Sequence, residues 1–394
     1  MKRLIALLLL LSMLPLAAFA AEAADISKES SFKIANAVSN LSRLTDKSEG
    51  SPFQVKEKKE HLLYVTPGET PIGAIELVFG SDHQGIEVQR EVNGEWITVA
   101  ENKCEQMTRV FLQLEENIAE PFRIRFAFAS GAEKKLNIRE IYLYSEGEQP
   151  EDKHIWQEPF EKADMLVLVA HPDDEILWFG GTIPYYTKER GMAVQVGYLT
   201  CENSTRRGEL LDGLGLCGVR HYPEIQLFPD EYALSASKIY GVWGENKLLR
   251  TVVRIIRKYK PEVIVTHDKK GEYGHGAHKA CSEMVDRAVS KAADPKYDAD
   301  SIALYGTWEV KKAYVHLGAA PTLTMDWTQP MASFDGKTGL EVAAEAFECH
   351  ASQTKKGRYA VAGPGDKCDS SLYTLIHTTV GEDVIGGDFF ENIP

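Results

Sequence analysis

The residues best suited to chemistry fall in two clusters. His171-Pro172-Asp173-Asp174-Glu175 closes the uninterrupted apolar run 165–170, and His267-Asp268 opens a stretch that ends Gly271-Glu272-Tyr273-Gly274-His275-Gly276-Ala277-His278. Imidazole and carboxylate are donors that hold borderline divalent cations. His171, Asp174 and His278 would offer two imidazoles and one carboxylate to a single ion and leave a fourth position for water. That is the donor set of a catalytic rather than a structural zinc site. Any one of these histidines alone is better explained as a core or surface residue, and a charged loop capping a strand would account for the first cluster by itself. The two clusters together make those readings the weaker ones.

Such groups must be delivered by strand ends. A short apolar run stopping at a polar turn reads as a buried parallel strand. Pro172 ends it, because it brings no N–H to a ladder. A second such strand, 262–266, stops at His267. Open α/β sheets bind ligands beyond the carboxyl ends of their strands. His275 and His278, three apart at the start of a helix predicted over 274–290, can face one side. Around them the pattern alternates. Helices are predicted over 176–190 (interrupted by Gly180, Gly181 and Pro184), 206–216, 246–259 and 340–350, and strands over 193–200, 225–228, 313–317 and 323–327. Residues 164–394 therefore predict a Rossmann-like layered α/β fold with a mostly parallel sheet. Gly180-Gly181 lacks the G-x-G-x-x-G spacing, which excludes a nicotinamide enzyme.

The preceding chain has a different character. Six short runs, 72–80, 85–92, 95–100, 109–114, 122–129 and 137–144, are separated by turn signals, with Asn93-Gly94 a strong hairpin turn. They predict an all-β sandwich over 25–145, in which 25–55 reads as a helix and then a loop. Trp96, in an alternating strand, favours a core position over stacking on a sugar. The acidic stretch 146–163, with two prolines, reads as a linker. Residues 1–20 read as a secretory signal peptide, with Lys2-Arg3, an apolar stretch and Ala18-Phe19-Ala20, so the mature chain is expected to be exported, periplasmic or extracellular. No later stretch is long and apolar enough for a membrane span.

The formal charge is −14, from 44 basic and 58 acidic residues, which disfavours nucleic acid and anionic lipid as partners. Six cysteines, none in a CxxC pair, read as packing residues or occasional bridges.

The two clusters together resemble the PIG-L (LmbE-like) family of zinc-dependent N-acetylglucosaminyl deacetylases, over more than half the chain. The β-rich part resembles the galactose-binding-like sandwiches attached to secreted glycan enzymes. The first resemblance implies a Rossmann-like fold, Zn²⁺ on His171, Asp174 and His278, and Asp173 as the general base that takes a proton from the attacking water. It implies that Tyr273 binds the oxyanion, and leaves proton delivery to Asp173 or shared with His275. Arg206 and Asp230 match family positions that meet the substrate, and His350 a late element near the site. Gly276-Ala277 stands where the family often has Pro-Asp. The expected substrate is an N-acetylhexosamine group on a sugar, glycan or glycoconjugate. The competing readings are a zinc hydrolase of another amide and a glycan-binding protein with a degenerate catalytic half.

Overall fold

A computed structural model describes residues 22–34, 40–48, 50–57, 61–80, 85–103, 107–127, 134–149, 154–355, 357 and 359–394. The expected signal peptide and Cys104 lie outside them. The chain forms two compact units, Met1–His154 and Ile155–Pro394.

The first unit is built of two antiparallel sheets. Its strands are β1 (Ser31–Ile34), β2 (Phe53–Glu57), β3 (His61–Thr66), β4 (Ile72–Phe79), β5 (Ile86–Val92), β6 (Glu95–Asn102), β7 (Arg109–Ile118), β8 (Phe122–Phe126) and β9 (Lys134–Tyr144). One sheet has the order β1-β3-β8-β5-β6, the other β2-β9-β4-β7. Period-two alternation does the folding: Phe122, Ile124 and Phe126 are buried while Arg123 and Arg125 between them are not. Asn93 and Gly94 both take positive φ, 53° and 86°, as a two-residue turn matched to strand twist requires. Two expectations are corrected. Residues 31–34 and 53–57 are strands rather than helix and loop, because they pair with β3 and β9. Trp96 is not core: it is half-buried on the outer face, under the Arg123 guanidinium at 4.1 Å.

The second unit carries a seven-stranded sheet, order β12-β11-β10-β13-β14-β16-β15. In chain order its elements begin with β10 (Met165–Val169), α1 (Asp174–Leu177), α2 (Thr182–Pro184), β11 (Val194–Tyr198), α3 (Ser204–Leu216) and β12 (Glu224–Ile225). Then come α4 (Ala236–Trp243), α5 (Glu245–Tyr259), β13 (Val263–Thr266), α6 (Gly276–Ala293), α7 (Ala299–Tyr305) and β14 (Lys312–His316). The chain closes with β15 (Leu323–Thr324), α8 (Gly339–Glu348), α9 (Ala351–Thr354) and β16 (Leu372–Thr378). Strands β10 to β14 run parallel, and only β16 runs against its neighbours. The apolar face of α5, from Leu248 to Tyr259, packs with Ala280, Met284, Val285 and Val289 of α6 and with Leu166 and Leu168 of β10.

The predicted helix over 176–190 is broken into α1, α2 and a π turn over Tyr185–Glu189. Gly180 takes φ 49°, and a Cβ there would lie 2.4 Å from Ser370 Oγ. The linker is shorter than 146–163, because Trp156 is buried against Tyr222 and Gln157 bridges to His221, which draws residues from 155 onward into the α/β unit.

Candidate active site

β10 lies between β11 and β13, and the Ala170 N–H just past its end donates to His267 Nε2 at 3.0 Å, just past the end of β13. The first cluster is thereby tied to the second. After Pro172 the chain reverses through Asp173 at φ 107°, a conformation that residues with a Cβ seldom adopt. Three contacts hold it there. The Asp173 N–H donates to Glu175 Oε2 at 2.9 Å, Arg206 of α3 donates to the Pro172 carbonyl, and the same guanidinium lies 3.3 Å from Asp173 Oδ2. Glu175 is fully buried, and its other oxygen lies 3.3 Å from His350 Nε2 at the head of α9. Glu209, one turn along α3 from Arg206, secures α9 by accepting the Ser352 N–H at 2.8 Å and its hydroxyl at 2.6 Å.

Asp174 opens α1 and collects donors. Its Oδ2 accepts the His171 N–H at 2.7 Å and faces His171 Nδ1 at 3.0 Å; its Oδ1 accepts the Trp178 indole N–H at 2.8 Å and lies 3.2 Å from His278 Nε2. On the other side, Gly271 and Glu272 take φ 74° and 50°, a turn that points Glu272 inward. Glu272 Oε2 meets His278 Nδ1 at 2.6 Å, and its Oε1 meets His267 Nδ1 at 3.2 Å and His316 Nδ1 at 3.1 Å. His275 caps α6, its Nδ1 accepting the Ala277 N–H at 3.2 Å.

The electrostatics follow from burial and neighbours. Burial first, and the Asp174 carboxylate second, push Asp173 well above the usual carboxylate range, with Arg206 pulling the other way. Burial also opposes charge on Asp174, but His278, His267 and His171 outweigh it and hold that carboxyl well below the usual range. For His278, burial disfavours the cation, yet Asp174 and Glu272 raise it to about 10. His275, which is buried beside His171 and His278, falls to about 3.

Among the described residues, two donor sets could hold a cation, His171/His275/His278 and Asp174/His267/His278, each with its ligand atoms within 4.8 Å of one another; the expected set His171, Asp174 and His278 draws on both. They share His278. His171 Nε2 and His278 Nε2 are buried and make no hydrogen bond, their nearest charged neighbours being Asp230 Oδ1 at 3.6 Å and Asp174 Oδ1 at 3.2 Å. Two orphaned imidazole nitrogens beside an ionised carboxylate fit a divalent metal.

His171, Asp173, Asp174, His275 and His278 thus come together. Tyr273 stands at the mouth, partly exposed, its ring 5.5 Å from that of His278. Asp230, with its side chain half exposed, receives Arg206 Nη1 at 3.1 Å. Tyr240, Trp243 and Trp308, aromatic residues that could stack on sugar, instead pack: they donate to Glu283, the Pro229 carbonyl and the Pro261 carbonyl. The buried supports Glu175, His267 and Glu272 lie in the two clusters read from the sequence but carry no role there, and His316 is not in either cluster. One signal was available, since a histidine closes or follows three neighbouring strands: His171 after β10, His267 after β13, His316 at the end of β14.

Residues 166–289 match the family model described as GlcNAc-PI de-N-acetylase, PIG-L. Over 271 residues the chain is 25% identical to the 1D-myo-inositol 2-acetamido-2-deoxy-alpha-D-glucopyranoside deacetylase of Geodermatophilus obscurus, covering 57% of this chain and 90% of that protein. Over 180 residues it is 27% identical to the "Probable N-acetylglucosaminyl-phosphatidylinositol de-N-acetylase" of Schizosaccharomyces pombe, covering 42% of this chain and 66% of that one. Three other deacetylases are matched over 54% to 63% of their length. Among solved structures, the N,N'-diacetylchitobiose deacetylase from Pyrococcus horikoshii is similar at 17% identity and a TM-score of 0.39, covering 56% of this chain and 86% of that one. The strand ends that carry the histidine and aspartate clusters therefore lie within or beside the stretch that the PIG-L family model matches.

Proposed function

We propose that this protein is an exported zinc-dependent amidohydrolase that removes the acetyl group from an N-acetylhexosamine on a sugar, glycan or glycoconjugate. The observation that carries the reading is the buried His171 Nε2, which makes no hydrogen bond, grouped at ligand distance with His278, whose Nε2 faces Asp174 at 3.2 Å next to Asp173. His171, Asp174 and His278 would hold the ion. His267 is the weaker choice for the same ion, because its Nε2 already accepts the Ala170 N–H. Zinc bound there would polarise the amide carbonyl and make a water acidic enough to attack near neutral pH.

The rest falls to the chain's own side chains. Asp173 takes the proton of the attacking water as its oxygen joins the carbonyl carbon. Its raised proton affinity then lets it keep that proton until the C–N bond breaks and deliver it to the leaving amine, so that acetate and a free amino sugar depart. His275, neutral near pH 7, has no proton to spare as a cation and serves as a hydrogen-bonding wall. Burial and the nearby Asp174 hold the Tyr273 hydroxyl protonated, which suits it to donate to the oxyanion. Asp230 faces the sugar hydroxyls, and Arg206 braces both Asp230 and Asp173. The β unit serves as an accessory, carbohydrate-binding part.

The test is acetate release from a panel of N-acetylated sugars by metal-stripped protein before and after Zn²⁺ is restored. Zinc-dependent release is expected, and Asp173→Asn should lower kcat by about 10²–10⁴ with zinc still bound. Stoichiometric zinc without release from any sugar would sink the reading.

A further inference from the structure

Behind the proposed metal ligands lies a carboxylate, Glu272, whose side chain is fully buried among three imidazoles. Its Oε2 meets His278 Nδ1 at 2.6 Å. Its Oε1 gathers the Asp268 N–H at 2.9 Å, His316 Nδ1 at 3.1 Å and His267 Nδ1 at 3.2 Å. The three histidine side chains are also fully buried, and they arrive from three elements: just past the end of β13, the last residue of β14 and the first turn of α6. Phe179 closes the cluster, its ring 5.8 Å from that of His267 and 5.9 Å from that of His316. Stability alone does not explain such a group. Taking a carboxylate and its partners out of water is costly, and packed apolar residues of similar volume commonly serve a fold as well or better.

The part each ring plays follows from its second nitrogen. His267 Nε2 accepts the Ala170 N–H, so its proton sits on Nδ1 and goes to Glu272. His316 Nε2 lies 3.1 Å from the Asp369 carbonyl, which can only accept, so Nε2 donates there while Nδ1 faces the carboxylate. His278 has given Nδ1 to Glu272, and Nε2 is the nitrogen it presents to Asp174 and to the proposed ion. The plane of that ring is fixed from the side by His267, stacked on it at 4.0 Å with the planes 20° apart. An imidazole ligand held through its other nitrogen by a carboxylate keeps one orientation and gains basicity. We propose that Glu272 and His316 are positioning residues for the metal: Glu272 aims His278 Nε2 at the ion, and His316 holds Glu272 in the place from which it does so. This rests on the metal-binding reading above, and it extends control of the ion from the loop that carries the ligands to the end of β14.

The experiment measures the zinc dissociation constant of the full chain by competition with a chromophoric chelator, with a melt of each metal-free variant to show that it is folded. Glu272→Gln should weaken zinc about 10–100-fold, the usual effect of losing the partner behind a metal ligand. His316 supplies a matched pair, because an asparagine amide reaches about as far as Nδ1 and a glutamine amide about as far as Nε2. His316→Asn keeps a hydrogen-bonding partner for Glu272 and should bind zinc nearly as the wild type does. His316→Gln keeps the Asp369 contact but leaves Glu272 a partner short, and should weaken zinc about tenfold. A merely structural role would shift the melts and leave the two His316 variants with equal zinc constants. Wild-type affinity in Glu272→Gln would overturn the role of Glu272, and equal constants for the His316 pair would overturn that of His316; either leaves the metal site intact. Should Glu272→Gln not fold, the His316 pair, in which Glu272 stays in place, decides. A wild type that binds no zinc would instead remove the reading beneath the proposal.

Discussion

At the scale of single residues, the arrangement turns on how Asp173 is held. A side-chain-bearing residue at φ 107° is strained, and such strain persists only where the surroundings over-determine it. Here Glu175 accepts the Asp173 N–H, and a buried His350 stands against the other oxygen of Glu175. Glu175→Ala should therefore lower kcat by about 10–100-fold, the usual effect of losing a supporting partner, with little change in KM. Glu175→Gln, which keeps an acceptor for that N–H, should recover most of the loss; equal damage from both would mean that the carboxylate's charge, and not its acceptance of the Asp173 N–H, is what matters. The groups expected to do chemistry could be read from the sequence because chemistry dictates their types: His171, Asp173, Asp174 and His278 are all close together. Glu175 and Glu272 could not be read this way. A glutamate beside a motif looks like surface until the fold buries it, and Glu272 faces inward only because of two successive positive-φ residues.

At the scale of elements, α6 delivers His278 from its first turn and has its other end closed by α5. Arg257 of α5 is fully buried and donates to the carbonyls of Ala292 at 3.0 Å, Lys291 at 3.0 Å, Asp294 at 2.8 Å and Tyr297 at 2.7 Å. A cation at a helix C-terminus satisfies its orphan carbonyls and complements its dipole. Arg257→Ala should cost about 3 kcal/mol or more in urea denaturation, since it strands several buried acceptors at once; a cost below about 1 kcal/mol would show that water replaces the guanidinium. Strong periodicity made α5 and β10 readable, because each buries a continuous apolar face or run. The elements that were not anticipated lack such a signal. α4 contains Gly241, α7 has only seven residues, and β16 is half-exposed along most of its length. The break after α1 is a matter of tertiary contact, set by Ser370 and Trp327 crowding Gly180 and Gly181.

At the scale of the molecule, two units with separate cores share one chain. The composition break near residue 150 was plain, but its position shifted because Trp156, a large apolar residue in an otherwise acidic stretch, is buried with the α/β unit. Calorimetric unfolding should show two transitions. The residues proposed to hold the metal all belong to the second unit, so if they bind zinc, Zn²⁺ at a hundredfold excess over its dissociation constant should stabilise that unit by about 2.7 kcal/mol and leave the other transition in place. Zinc moving both transitions together would mean that the units unfold as one.

The carboxylates around His278 have a consequence for how the site is loaded and emptied. With its proton affinity raised to about 10, the metal-free imidazole is a cation at neutral pH, and the ion pairs with Asp174 and Glu272 stabilise the fold below the ordinary value of 6.5 and fade as pH rises through about 10. A divalent metal arriving at Nε2 would have to expel that proton, so acid and metal would compete for one place. The proton then acts as a placeholder. Acid would favour the proton over a bound metal at that nitrogen, and neutralisation would favour refilling.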